Sequence, residues 1–162
     1  MRLSVKLLSL LAAVGTAALM QPVTASAAVL NCAQFSHTQI VTVTTAKTTS
    51  STTYVPWGGA AFTQVFFNDS CVVVEFSAQV KARTPAIARI RIFAESMDPA
   101  ASAFPAAINF TTAGSGFDGR SAKFVFPVLE GEYTIRVQFL SVNGSPVTLD
   151  KGTLKILFNN ES

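Results

Sequence analysis

Basic residues on two consecutive predicted strands give the sequence its clearest chemical signal. Alternation of polar and apolar residues puts two of them on the polar face of one strand and two on that of the next. If the strands form a hairpin, like charges become neighbours, which a sheet disfavours. Guanidinium groups suit forked contact with anions, so the pattern predicts a site for a sulfated, uronic or phosphorylated glycan; the alternative is solubility and edge protection. The anion-binding candidates are Lys81, Arg83, Arg89 and Arg91.

Two carboxylates are the candidates for catalysis. A short turn at residues 84–86 would place Glu75 opposite Glu95, and glycosidases use carboxyl groups ~5–9 Å apart. The alternative is that each acid pairs with a neighbouring lysine or arginine. His37 is the single histidine, and no nucleophile or phosphate-loop motif accompanies it. The sequence therefore predicts a non-enzymatic protein without catalytic residues, a cofactor or a metal site.

Two aromatic residues are candidates for stacking on a sugar ring. Tyr54 and Trp57 flank Pro56 in a predicted turn over residues 56–59, and amphipathic rings suit a wet binding surface. The alternative for Trp57 is a place in the core, since large aromatic side chains are usually mostly buried.

One stretch, residues 127–154, organises the elements that would position these side chains. From 133 to 139 its apolar residues occupy every second position and polar residues fill the gaps, which predicts a strand with one buried face. Gly131 marks a turn before it, and Asn143-Gly144 is a strong hairpin signal. The buried face comprises Tyr133, Ile135, Val137 and Phe139.

Similar patterns predict about eight to ten strands in an all-β chain. Thr84-Pro85-Ala86 is a turn, because proline restricts its own φ and extends the residue before it, and it would join two strands in a hairpin. Many short strands separated by turns predict an antiparallel two-sheet sandwich or a barrel without a helix in the mature chain. The predicted strands are 35–45, 62–67, 71–83, 88–94, 107–111, 123–128, the stretch above and 154–158, with 47–53 a loop or edge strand.

The N-terminus has the features of a cleaved secretory signal. Arg2 and Lys6 precede an apolar run over 7–20, and Ala25-Ser26-Ala27 offers a small-residue cleavage site. The run is shorter than the ~20 residues that span a bilayer; the alternative is an uncleaved anchor. We expect a signal peptide at 1–28, one domain at 29–162, a secreted or periplasmic location, and no membrane span after cleavage.

Charge and cysteine content restrict the partners. The chain has 12 Lys and Arg against 9 Asp and Glu, and removal of Arg2 and Lys6 leaves a net charge of only +1, so we expect no nucleic-acid partner. Cys32 and Cys71 are predicted to form a disulfide, because exported proteins meet an oxidising environment; the alternative is two reduced thiols.

Two resemblances follow from these strands. Residues 129–137, centred on Tyr133, resemble the tyrosine-corner strand of fibronectin-III and immunoglobulin-like domains. Residues 70–78, 89–92, 131–139 and 153–156 together resemble a diffuse group of exported bacterial proteins without an established function. That resemblance implies a jelly-roll-like β-sandwich and carries over no catalytic residue.

Three classes of function are consistent with these features. The first is an exported binding or surface-associated module for anionic glycan or envelope material. The second is a structural subunit that self-associates through sheet edges or outward apolar side chains. The third is a carboxylate-dependent glycan hydrolase. The outward apolar candidates for the second class are Val73, Phe93, Leu140 and Leu157.

Overall fold

The computed structural model describes Cys32 and residues 35–96 and 103–159, which form an all-β sandwich of two antiparallel sheets. The predicted signal peptide lies outside the described residues. Within them, no helix is long and apolar enough to cross a membrane. The strands are β1 (His37–Val43), β2 (Lys47–Thr49), β3 (Val55–Phe66), β4 (Ser70–Lys81), β5 (Ala88–Ser96), β6 (Ile108–Phe110), β7 (Asp118–Val128), β8 (Gly131–Ser141) and β9 (Val147–Phe158).

The strand order is that of a jelly roll. The first sheet has the order β1-β9-β4-β7, with β2 also paired to β9, and the second has the order β3-β8-β5-β6. The pairs are therefore nested along the chain, and successive pairs alternate between the sheets: β1 with β9, β3 with β8, β4 with β7 and β5 with β6. This nesting defines a double Greek key, and the predicted two-sheet jelly-roll class is confirmed.

The predicted hairpins are wrong, because the chain changes sheet where they were placed. β4 belongs to the first sheet and β5 to the second, so residues 82–87 cross between layers. Asn143-Gly144 lies between β8 of the second sheet and β9 of the first, and its turn is also a crossover. Alternation of polar and apolar residues indicates which face of a strand is buried. It does not tell which strand lies beside it.

The core lies between the sheets and confirms the predicted buried face of β8. Ile135, Val137 and Phe139 are fully buried, and Tyr133 nearly so. The Tyr133 hydroxyl accepts a hydrogen bond of 3.2 Å from the backbone N–H of Leu129, across the turn between β7 and β8. A tyrosine corner makes a bond of this kind, and here it fixes the entry of β8.

The predicted turn at residues 56–59 is wrong, because these residues lie inside β3. The register of β3 against β8 shifts between Pro56 and Ala61, and Gly59 has φ +80° within that irregularity, a conformation that glycine adopts readily. A bulge of this type lets a strand bend without ending. Pro56, Gly58 and Gly59, which were predicted to form a turn, therefore mark a distortion of the edge strand β3.

The predicted disulfide joins Cys32 to Cys71, with a Cα–Cα distance of 5.4 Å. Cys71 is the second residue of β4, so the bond ties the segment before β1 to an interior strand of the first sheet.

The predicted outward apolar residues are not all exposed. Val73 is buried, contrary to the prediction that its side chain is exposed. Leu140 is also buried, and Phe93 and Leu157 are half-buried, so these four do not form an exposed apolar face.

Candidate anion-binding surface

The four predicted anion-binding residues do not form one cluster. Lys81 is the last residue of β4 in the first sheet, and Arg83 follows it and makes a backbone bridge to Thr112. Arg89 and Arg91 lie on β5 in the second sheet. The outer faces of two packed sheets point in opposite directions. The predicted cluster is therefore wrong, because β4 and β5 lie in different sheets and do not form the predicted hairpin.

The outer face of the second sheet gathers a different set of basic residues. In the pairing of β5 with β8, Arg91 lies opposite Gln138, and Phe93 lies opposite Arg136. Arg136 is therefore a diagonal neighbour of Arg91, and diagonal side chains are ~7–8 Å apart. Arg136 was predicted on the polar face of its strand, but the Asn143-Gly144 hairpin predicted another neighbour for β8, so the contact with β5 was not predicted. The arginine face is defined by Tyr54, Arg89, Arg91, Phe93 and Arg136.

Arg91 lies against two aromatic rings. Its guanidinium carbon lies 3.9 Å from the centroid of the Tyr54 ring and 5.0 Å from that of Phe93, distances at which a cation is attracted to a ring face. Its Nε donates a hydrogen bond of 2.8 Å to Oε1 of Gln138. These contacts fix the group in place, while among the described residues its two terminal nitrogens make no hydrogen bond.

Arg89 is oriented by a similar hydrogen bond, made to β6, the other neighbour of β5 in the sheet. Its Nε donates a hydrogen bond of 2.8 Å to Oδ1 of Asn109 on β6. Within residues 35–96 and 103–159, no carboxylate lies at ion-pair distance from Arg89 or Arg91, whereas Arg136 pairs with Glu95 at 3.3 Å. Both guanidinium groups are therefore positioned by neutral amides, which leave their positive charge uncompensated nearby.

The two predicted stacking residues separate. Trp57 is only 2% exposed, its Nε1 donates a hydrogen bond of 3.0 Å to the Thr45 carbonyl, and its ring meets Phe76 edge-on. It is a core residue, so its prediction as a glycan-stacking residue is wrong, and its size explains why. Tyr54 is half-buried beside Arg91. Tyr54, a predicted glycan-stacking residue, and Arg91, a predicted anion-binding residue, are therefore in contact at one site.

The predicted opposition of Glu75 and Glu95 is also wrong. Glu75 lies on β4 of the first sheet, 3.4 Å from Lys155 Nζ and 3.8 Å from Lys123 Nζ. Glu95 lies on β5 of the second sheet. Each acid therefore pairs with a base on its own face, as the alternative interpretation expected.

No family model matches the chain, and no curated protein matches it. The case for a function therefore rests on the geometry of the arginine face.

Proposed function

We propose that the protein is an exported, non-enzymatic binding module that holds an anionic glycan or similar acidic envelope material on the arginine face. The observation that carries the proposal is the fixed guanidinium of Arg91. It contacts the rings of Tyr54 and Phe93, and its terminal nitrogens lack a partner in the described part of the chain. A group already held in one orientation loses less entropy when an anion binds.

The chemistry of the face supports an acidic sugar as the ligand. Paired terminal nitrogens of arginine match the two oxygens of a carboxylate or the oxygens of a phosphate, and the neighbouring rings offer apolar surface for a sugar. Arg89 and Arg91 are two residues apart on one strand, ~6.6 Å along its axis, so both can contact one short acidic chain.

Export is supported by two independent features. The N-terminal sequence has the order of a secretory signal. The Cys32–Cys71 disulfide is of a kind that persists in oxidising compartments. We therefore propose a secreted or periplasmic location.

Binding of a heparin hexasaccharide tests the proposal. The double variant Arg89→Gln/Arg91→Gln should weaken binding at least about 100-fold, because it removes two hydrogen bonds to charged groups and each contributes ~1.5–3 kcal/mol. The matched control is Lys81→Gln/Arg83→Gln, which removes the same charge from the other half of the predicted cluster. Absence of binding by the unaltered protein at low salt, or equal loss in both double variants, would overturn the proposal.

The substitution Arg91→Lys separates a shaped site from simple attraction between charges. Lysine keeps the positive charge but lacks the planar fork and the donor that bonds Gln138. We expect most of the affinity to be lost, as measured by calorimetry with the same hexasaccharide. Unchanged affinity would mean that net charge alone holds the ligand.

Self-association is the second candidate, because β3 is the edge of the second sheet in the described chain. An open edge strand can pair with another chain. Light scattering over a range of concentrations tests this: a constant monomer mass at high concentration would exclude it.

A further inference from the structure

Charge on the outer face of the second sheet is divided between its two ends. One end carries Arg89 and Arg91, and Glu95 follows four residues later on β5, ~13 Å from Arg91. Glu132 lies beside Glu95, because Thr134 is opposite Glu95 and Glu132 is two residues before Thr134 on β8. We call Arg89 and Arg91 the basic end of the face, and Glu95 and Glu132 its acidic end.

The acidic end keeps an uncompensated negative charge. Glu95 pairs with Arg136 at 3.3 Å, yet 56% of its side chain remains exposed. Glu132 is exposed and makes no ion pair within residues 35–96 and 103–159. A single arginine therefore compensates two carboxylates. These three residues border a cavity of about 360 Å³, which leaves room for a second guanidinium group beside Arg136.

A face with this charge pattern is complementary to a second copy of itself. Phe93 lies on β5 midway between Arg91 and Glu95, and its ring is half-buried. If a second copy is turned end over end about an axis through Phe93 and across the strands, Arg91 of each copy meets Glu95 of the other. A two-fold axis makes every such contact twice, so one dimer contains two of these pairs, with the two Phe93 rings between them.

The remaining charges of the face fit the same arrangement. Arg89 lies two residues beyond Arg91, and Glu132 lies diagonally beyond Glu95, so the second arginine of one copy approaches the second carboxylate of the other. Arg136 is opposite Phe93 and therefore lies near the axis. Its own ion pair with Glu95 compensates its charge there.

We infer that two copies of the chain associate through this face, basic end against acidic end, in a weak symmetric dimer. Strand spacing and rise give the face an area of ~500 Å² per copy. The roughly 1,000 Å² that the dimer buries in total is at the lower limit for a specific interface, so the association is reversible.

The dimer regulates access to the arginine face. A second copy and an acidic glycan compete for Arg89 and Arg91, and a ligand that binds only the free chain shifts the equilibrium towards monomers. This competition rests on the proposed function, whereas the dimer itself rests only on the charge pattern.

Sedimentation equilibrium of the unaltered chain and two charge-reversal variants tests the dimer. The unaltered chain should dimerise at low salt and less so at high salt, because salt screens exposed charges. Arg91→Glu and Glu95→Arg each turn two attractive pairs into repulsive ones, so each should raise the dissociation constant of the dimer at least about tenfold. An unaltered chain that stays monomeric up to about 1 mM at low salt would overturn the inference.

An equimolar mixture of the two variants is the decisive measurement. One variant carries acidic side chains at both positions of β5 and the other carries basic side chains, so the mixture should form a heterodimer although neither variant dimerises alone. The matched control is Lys81→Glu, which changes the net charge as Arg91→Glu does but on the first sheet, and it should dimerise like the unaltered chain. Association that both variants retain alone would indicate pairing through the edge strand β3 and contradict the inference.

Addition of the heparin hexasaccharide keeps the two proposals distinguishable. It should convert the dimer of the unaltered chain into monomers. A dimer that fails to bind heparin would overturn the proposed function alone, and heparin binding by a chain that is monomeric at every concentration would overturn the dimer alone. A dimer that binds heparin without dissociating would overturn the competition.

Discussion

Gly152 is required by packing and not by its backbone angle. A Cβ atom there would lie 2.5 Å from Cη2 of Trp57, 2.6 Å from the Ser77 carbonyl oxygen and 2.9 Å from Cβ of Ala78. Two of these neighbours belong to β4, the partner strand, and the third is the buried indole of β3. The glycine therefore lets the indole fill the space beneath β9.

The substitution Gly152→Ala should lower the free energy of unfolding by about 1–3 kcal/mol, because overpacking forces side chains and backbone to move. Urea denaturation measures this change. The matched control is Gly58→Ala, where an added Cβ meets no atom within 4 Å, and its stability should stay within about 0.5 kcal/mol of the parent. Equal stability of the two variants would contradict the packing explanation.

At the scale of elements, periodicity located several strands closely, missed the first halves of β3 and β9, and left the partners of the strands undetermined. The predicted strand at 71–83 became β4 and that at 88–94 became β5, with bounds within a few residues. Their faces were also correct, since Val72, Val74 and Ile90 are buried. Pairing depends on contacts between distant segments, which a period of two does not encode.

For the arginine face, too, the positions on each strand were predicted and the contacts between strands were not. Arg89 and Arg91 were correctly placed on one side of one strand. Their contacts depend on strand order, because Pro56 lies opposite Gln138, which lies opposite Arg91. That register brings Tyr54, two residues before Pro56, onto the guanidinium. No local pattern in the sequence connects residues so far apart.

The disulfide should contribute to stability by restricting the unfolded chain. Its cysteines are 39 residues apart, and for such a loop the chain-entropy model gives about 4 kcal/mol, within the usual range of ~2–4 kcal/mol. We expect the double variant Cys32→Ser/Cys71→Ala to lose that much stability and remain folded, as measured by urea denaturation.

Reduction of the unaltered protein with a thiol reagent is the control for that variant. It should give the same loss without a change of side chain at Cys71. A loss below about 1 kcal/mol in both experiments would show that the bond adds little to the constraint on the chain.

At the scale of the whole molecule, Trp57 connects the two sheets. It belongs to β3 of the second sheet, meets Phe76 of the first, and bonds to Thr45 between β1 and β2. As the chain contains a single tryptophan, its fluorescence reports on contact between the layers.

We expect the unfolding curves from Trp57 fluorescence and from far-ultraviolet circular dichroism to share one midpoint, because a single shared core unfolds cooperatively. Urea titration with both signals on one sample measures this, and recovery after dilution serves as the control. An earlier fluorescence transition would mean that the layers part before the strands melt.

The position of β9 has a consequence for synthesis. β9 lies between β1 and β4, yet a ribosome makes it after all the other described strands. Until residues 147–158 emerge, the growing polypeptide lacks the middle of its first sheet, and β1 and β2 have nothing to pair with there. A nascent chain without these residues therefore cannot complete the first sheet, whereas all four strands of the second sheet have already been made.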